Sequence, residues 1–298
     1  MSPPETRPVI LLVPGAFGTP AGFEKLAEFL RAAGFSTHPG AYPSCNPTDP
    51  TTATSQKDIA YLRDNVLIPL LDQEKRDVVI IAHSYGGVVA GGAAKGLDKP
   101  ARTGKGHSTS VTGLIYVAGN ITLEGETLRE AVGGVYPPFI KVDKPSKGLA
   151  LIEPAMDILY NDCDPSLAPE LDKHMNPHAL LAFETKATAP AWADAGFDGR
   201  RVYVRTLEDQ CNPPLLQDVW IEKTKVKWEV IDIKAGHMPF ESQPETLAEQ
   251  VVSSAHGFSA VRQNVLVQHW PMEGWNVTAA FWRICAPVRS YIGGLLKS

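Results

Sequence analysis

Apolar residues crowd into short runs that are too brief for helices. Residues 9–13 (Val-Ile-Leu-Leu-Val) and 78–82 (Val-Val-Ile-Ile-Ala) are uninterrupted, and 111–118 is nearly so. Runs of this kind fit strands of a parallel sheet buried on both faces, where alternation with polar residues is lost. Between them the period changes. Phe23, Leu26, Phe29 and Leu30 share one stripe of a helix over 20–33, ended by Gly34. Ile59, Leu62, Val66 and Leu70 repeat the pattern over 56–71, where Pro69 marks a bend or an early end. A short strand is expected at 35–38, a polar Pro-rich loop at 39–54, and a Gly- and Ala-rich helix over 85–96 lying close to the sheet. Residues 98–110 read as a mobile loop of Gly, Ser and Lys. Alternating strands and helices with right-handed crossovers predict an α/β fold, a doubly wound and mostly parallel sheet covered on both faces.

The rhythm stops at residue 120. Residues 120–198 contain no convincing strand, and short helical pieces fit 124–132, 151–160, 165–172 and 177–184. This segment is expected to form an inserted helical cap. The sheet resumes at 201–205 (Arg-Val-Tyr-Val-Arg), followed by a helix over 213–223, a last strand at 227–233 and a closing helix over 244–257. The expected organisation is therefore a core of 1–119 and 199–257, a cap of 120–198, and an aromatic-rich extension of 258–298 carrying Trp270, Trp275, Trp282 and Tyr291.

Composition narrows the class without naming a chemistry. With 298 residues, 44% apolar and 20% charged, the chain suits one large domain or a core with a cap. A net charge of −5 and no basic patch argue against nucleic acid as a partner. Cys45, Cys163, Cys211 and Cys285 lack metal-ligand spacing and read as reduced, mostly buried thiols. The polar residues 1–8 resemble neither a signal peptide nor a membrane span, so a cytoplasmic protein is expected, and a homodimer is compatible with this reading.

The chemistry concentrates where strands end. Residues 82–86 (Ala-His-Ser-Tyr-Gly) close the run 78–82 and open a helix, the layout of a sharp strand-to-helix turn that exposes a serine hydroxyl, Ser84. A hydroxyl is a poor nucleophile until an imidazole takes its proton, and the imidazole needs a carboxylate to orient it. Asp209 lies just beyond the strand at 201–205 and His237 just beyond the strand ending at Ile233. Residues following parallel strands converge at one sheet edge. Glu208 is the competitor of Asp209, and His83 that of His237; His83, at a strand end, reads as a packed, hydrogen-bonded residue. His174 and His178, four apart, invite a metal site, but Pro177 intervenes and no third ligand is placed by spacing. Amide donors for a developing oxyanion are expected from Tyr85 and from Ala16 or Phe17, after Gly15. No dinucleotide or phosphate-loop fingerprint occurs, so no cofactor is expected.

Over about residues 8–257 the chain resembles the α/β-hydrolase superfamily, and within it the branch of plant methylesterases, hydroxynitrile lyases and related microbial and fungal hydrolases. The resemblance rests on residues 12–17 (Leu-Val-Pro-Gly-Ala-Phe), 82–87 (Ala-His-Ser-Tyr-Gly-Gly), 203–209 (Tyr-Val-Arg-Thr-Leu-Glu-Asp) and 235–240 (Ala-Gly-His-Met-Pro-Phe). It implies Ser84 as nucleophile, Asp209 as acid and His237 as base, with the main-chain amides of Ala16 and Tyr85 as oxyanion donors. Pro14 stands where the family usually has His, and Ala82 where the turn usually has Gly. The expected function is a cofactor-independent serine hydrolase of a small, mostly apolar ester or lactone. The alternatives are a hydroxynitrile or retro-aldol lyase, for which Lys141, Lys144 or Lys147 would hold the leaving anion, and a non-catalytic small-ligand receptor. Phe139, Met156, Tyr160, Met175, Phe183 and Trp192 are the apolar residues the cap has available for a substrate.

Overall fold

The computed structural model describes residues 7–260, so the expected extension lies outside the described residues from 261 onward. Six parallel strands form the central sheet: β1 (Val9–Val13), β2 (Thr37–Pro39), β3 (Val78–His83), β4 (Val111–Val117), β8 (Arg201–Thr206) and β9 (Glu229–Ile233), in the order β2-β1-β3-β4-β8-β9. Every residue of β1 and β3 is buried, which explains why their sequences show no alternation. β9 is the exception. It is an edge strand with mostly exposed side chains, and Asp232 there accepts both Arg205 Nε and Nη2 from β8, at 2.8 and 2.9 Å. Charge on an edge strand discourages pairing with another sheet.

Helices cover both faces, and three of them matter for the site. α1 (Glu24–Ala32) buries Leu26, Ala27 and Leu30. α2 (Ser55–Leu62) starts at Thr54, whose hydroxyl accepts the Lys57 amide. It continues through two π-type segments, Arg63–Leu67 and Pro69–Gln73, so the chain does not stop at Pro69. A proline offers no N–H to the preceding turn, and the wider π turn absorbs the missing bond. α3 (Gly86–Ala93) is buried along its whole length.

Two sequence expectations need correction. The inserted helical cap is present, but residues 120–198, read as free of strands, also hold a sheet. β5 (Ile140–Val142), β6 (Leu149–Ile152) and β7 (His178–Ala179) make a small antiparallel sheet in the order β5-β6-β7, beside short helices such as Ala155–Leu159 and Leu180–Glu184. Strands of two to four residues carry too little periodicity to be read along the chain. The segment 98–110 is not a featureless loop either. Asp98 caps a short helix, Lys99–Thr103, and buried Arg102 binds Asp72 and the Thr109 carbonyl. No helix among the described residues is long and apolar enough to cross a membrane.

Candidate active site

The elbow after β3 is held in a strained shape by its surroundings. Ser84 has φ of +48°, a left-handed conformation that is costly for a residue with a side chain. Three main-chain bonds fix it. The Ser84 amide donates to Val117 O at 3.2 Å, and the Ser84 carbonyl accepts from Gly87 N at 2.9 Å and Asn120 N at 2.8 Å. Gly86 must be glycine here: a Cβ would lie 2.5 Å from Pro14 O and 2.7 Å from Val13 O. Gly15 is equally constrained, since its Cβ would meet Ser84 Cβ and His83 Nδ1 at 2.8 Å. The elbow therefore meets the end of β1 through backbone at Gly86, and the β1 loop lies against the His83 and Ser84 side chains at Gly15.

Asp209 and His237 meet as partners. His237 Nδ1 is 2.8 Å from Asp209 Oδ2, and both side chains are almost fully buried. Asp209 Oδ2 also accepts from Thr206 Oγ1 at 2.8 Å, and Oδ1 accepts the amides of Cys211 and Asn212 at 2.8 and 2.7 Å. Four donors on one carboxylate hold it in place. Burial works against a charged His237, but the Asp209 charge and contacts with the Cys211 thiol outweigh it and raise the imidazole above its ordinary value. Glu208 points elsewhere, 3.6 Å from Lys234 on the surface.

His83 links this pair to the elbow without competing with it. Its Nε2 donates to His237 O at 2.9 Å, and the two rings lie 4.6 Å apart. Burial first, then the neighbouring His237 charge, pushes His83 well below the ordinary histidine range, so it stays neutral. The Ala16 and Tyr85 amides donate to no acceptor among the described residues, whereas the Phe17 amide faces His178 Nδ1 at 3.4 Å.

Several expectations about the cap resolve here. His174 ends a 3₁₀ turn and His178 lies in β7, so the two share no helix face. No group of three or more His, Cys, Asp or Glu among the described residues could hold a metal ion. Phe183 approaches the elbow, 5.5 Å from the Tyr85 ring, while Trp192 is buried beside α3. Lys144 and Lys147 are exposed, and Lys141 donates to Pro138 O. Sequence reading missed Asp58 and Ser44, both fully buried next to Tyr85 and His178. No local pattern marks either one: Ser44 lies in the polar loop 39–54, and Asp58 is a charged residue within the helix read over 56–71.

The sheet order, the elbow and the convergence of later loops on it define a hydrolase-type α/β protein. Residues 10–250 match the Alpha/beta hydrolase family, and the chain belongs to it. It is 23% identical over 252 residues to the alpha/beta hydrolase nvfD of Aspergillus novofumigatus, covering 84% of this chain and 97% of that protein. It is 24% identical over 271 residues to a pyrethroid hydrolase of Sphingobium wenxiniae, covering 85% and 90%. Among solved structures, the methylesterase MES16 from Arabidopsis shares the fold, with a TM-score of 0.61 at 19% identity over 84% of this chain and 99% of that one.

Proposed function

We propose that this protein is a serine hydrolase that cleaves an ester or lactone of a small, mostly apolar organic molecule through an acyl-enzyme. The observation that carries the reading is the buried Asp209–His237 pair, packed through His83 against a left-handed Ser84. Two unengaged amides beside that serine supply the second requirement, donors for an oxyanion. The relatives support the reading, one being called a pyrethroid hydrolase and one fold neighbour a methylesterase.

In this mechanism Ser84 Oγ bonds to the substrate carbonyl carbon while His237 Nε2 takes its proton. The carbonyl oxygen becomes an oxyanion and is received by the Ala16 and Tyr85 amides. Collapse breaks the bond to the leaving oxygen, which His237 protonates. A water then gives its proton to His237 and attacks the acyl carbon, and Ser84 recovers its proton as the acid departs. Asp209 fixes the His237 tautomer and stabilises the imidazolium formed twice per cycle.

The test combines a panel of small esters with a serine-reactive fluorophosphonate. Labelling should vanish in Ser84→Ala, and turnover should fall on the order of 10³–10⁴-fold in Asp209→Asn. Because Asp209 raises His237 above its ordinary 6.5, turnover should climb with pH through an inflection above that value. Cyanohydrin cleavage without labelling or ester turnover would overturn the reading in favour of a lyase. A ligand bound but never turned over would favour a receptor.

A further inference from the structure

Behind the elbow lies a second set of Asp, Ser and His side chains: Asp58 on α2, Ser44 in the loop before it, and His178 in β7 of the cap. All three are fully buried. Their connectivity also differs from that of a nucleophile set, because Ser44 Oγ donates to Asp58 Oδ2 at 2.5 Å and lies 3.0 Å from His178 Nε2. A serine whose proton is held by a carboxylate, out of reach of solvent, attacks nothing. The arrangement serves another purpose.

We propose that Asp58, Ser44 and His178 are positioning residues that hold both arms of the oxyanion site, the Ala16–Phe17 turn and Tyr85, in one geometry. The inference rests on the hydrolase reading above. Donor accounting gives every proton one direction. Asp58 accepts Ser44 N–H at 2.9 Å, Ser44 O–H at 2.5 Å and Tyr85 O–H at 2.6 Å. Ser44 has spent its proton, so its oxygen accepts His178 Nε2–H. That tautomer leaves a lone pair on Nδ1, which faces the Phe17 amide at 3.4 Å. His178 remains neutral, as its burial requires.

The relay therefore touches both arms. On one side it engages the Phe17 amide, at a residue with φ of +67° whose carbonyl also accepts Asn176 N–H at 2.7 Å. Phe17 is clamped through both main-chain groups by residues 176–178 of the cap, and the preceding Ala16 amide is the one left unengaged. On the other side the same carboxylate anchors the Tyr85 side chain, whose main-chain amide is the second free donor. Aromatic contacts stiffen the assembly: His178 stacks on Phe183 at 4.8 Å and 3°, and meets the Tyr85 ring edge-on at 5.0 Å. Tyr42 completes the brace, its hydroxyl lying 2.9 and 2.8 Å from the Pro14 and Gly15 carbonyl oxygens.

The test compares His178→Leu, which removes both ring nitrogens, with His178→Asn, whose amide oxygen can replace Nδ1 as acceptor for Phe17. Two readouts are taken: kcat and KM on an ester that the wild type turns over, and amide hydrogen exchange over residues 14–18. His178→Leu should lower kcat about 10–100-fold with KM within about threefold, somewhat less than losing an oxyanion donor outright. Exchange over 14–18 should quicken in the same variant, and His178→Asn should recover most of both. Asp58→Asn, which keeps the volume but not the carboxylate, should lower kcat in the same manner. Equal kcat losses in the Leu and Asn variants, or unchanged exchange over 14–18 in His178→Leu, would overturn the proposal. A wild type that turns over no ester overturns the hydrolase reading alone, because the exchange is measured without substrate and still decides for or against the clamp.

Discussion

Replacing Gly86 by alanine places one methyl group where the elbow meets the end of β1. Its carbon would lie 2.5 Å from Pro14 O, 2.7 Å from Val13 O and 3.2 Å from Val13 C. Ordinary contact begins near 3.4 Å, so roughly 0.7–0.9 Å must be opened. The obstructing atoms are backbone at the end of β1 and just past it, where Val13 pairs with Ala82 of β3, and no side chain can rotate away. The junction must therefore part. Overpacking of this kind costs about 1–3 kcal/mol. For a domain of this size that lowers Tm by about 2–4 °C per kcal/mol. The larger effect falls on chemistry, because Gly15 and Ala16 follow Pro14 directly and move with it. A misplacement near 1 Å at such a site costs on the order of 10²-fold. The assay is the rate of Ser84 labelling by a fluorophosphonate, alongside thermal unfolding. Wild-type labelling with an unchanged Tm would refute the claim that the elbow meets the end of β1 backbone to backbone at Gly86.

Gly257→Ala provides the opposite case. Gly257 is exposed within the helix Pro244–Ala260 and a Cβ there meets nothing within 4 Å. The substitution should stabilise the protein by about 0.5–1 kcal/mol in chemical unfolding and leave labelling unchanged. His178 governs an acid limb. Burial lowers it from 6.5 to about 3, so below pH 6.5 the unfolded chain takes up a proton that the native state refuses. Stability from this residue is present above 6.5 and is lost as pH falls toward 3, by about 2 kcal/mol between pH 6.5 and 4.5. Asp58 works the other way, since burial raises it to about 6 and the native state then holds a proton more readily than the unfolded chain. The stability difference between wild type and His178→Asn isolates the histidine. It should narrow by about 2 kcal/mol over those two pH units, and a pH-independent difference would contradict a buried neutral His178.

Much of the fold is legible along the chain because its signals are local. The runs forming β1, β3 and β4 are apolar on both faces, and a fully covered parallel sheet is where such runs belong. The elbow is legible because a small residue before Ser84 and two glycines after it satisfy close backbone contacts. Asp209 and His237 are legible because each follows a strand that ends at the same sheet edge. The cap was harder to read. β7 joins β6 through sequence-distant partners, Leu149 with Ala179 and Ala150 with His178, and all three strands are too short to carry a period of their own.

Local pattern along the chain sets the strand and helix rhythm, the sharp serine turn and the order in which Ser84, Asp209 and His237 arrive. These follow from periodicity and turn chemistry within a few residues. Folding alone buries Asp58, brings its carboxylate to Ser44 and Tyr85, and packs His178 against Phe17, Tyr85 and Phe183. Along the chain Asp58 is separated by 14 residues from Ser44 and by 27 from Tyr85, and Ser44 by 134 from His178. A polar side chain carries no mark along the chain of whether it will be solvated or buried. Its role is set when distant segments close over it and every donor must find an acceptor.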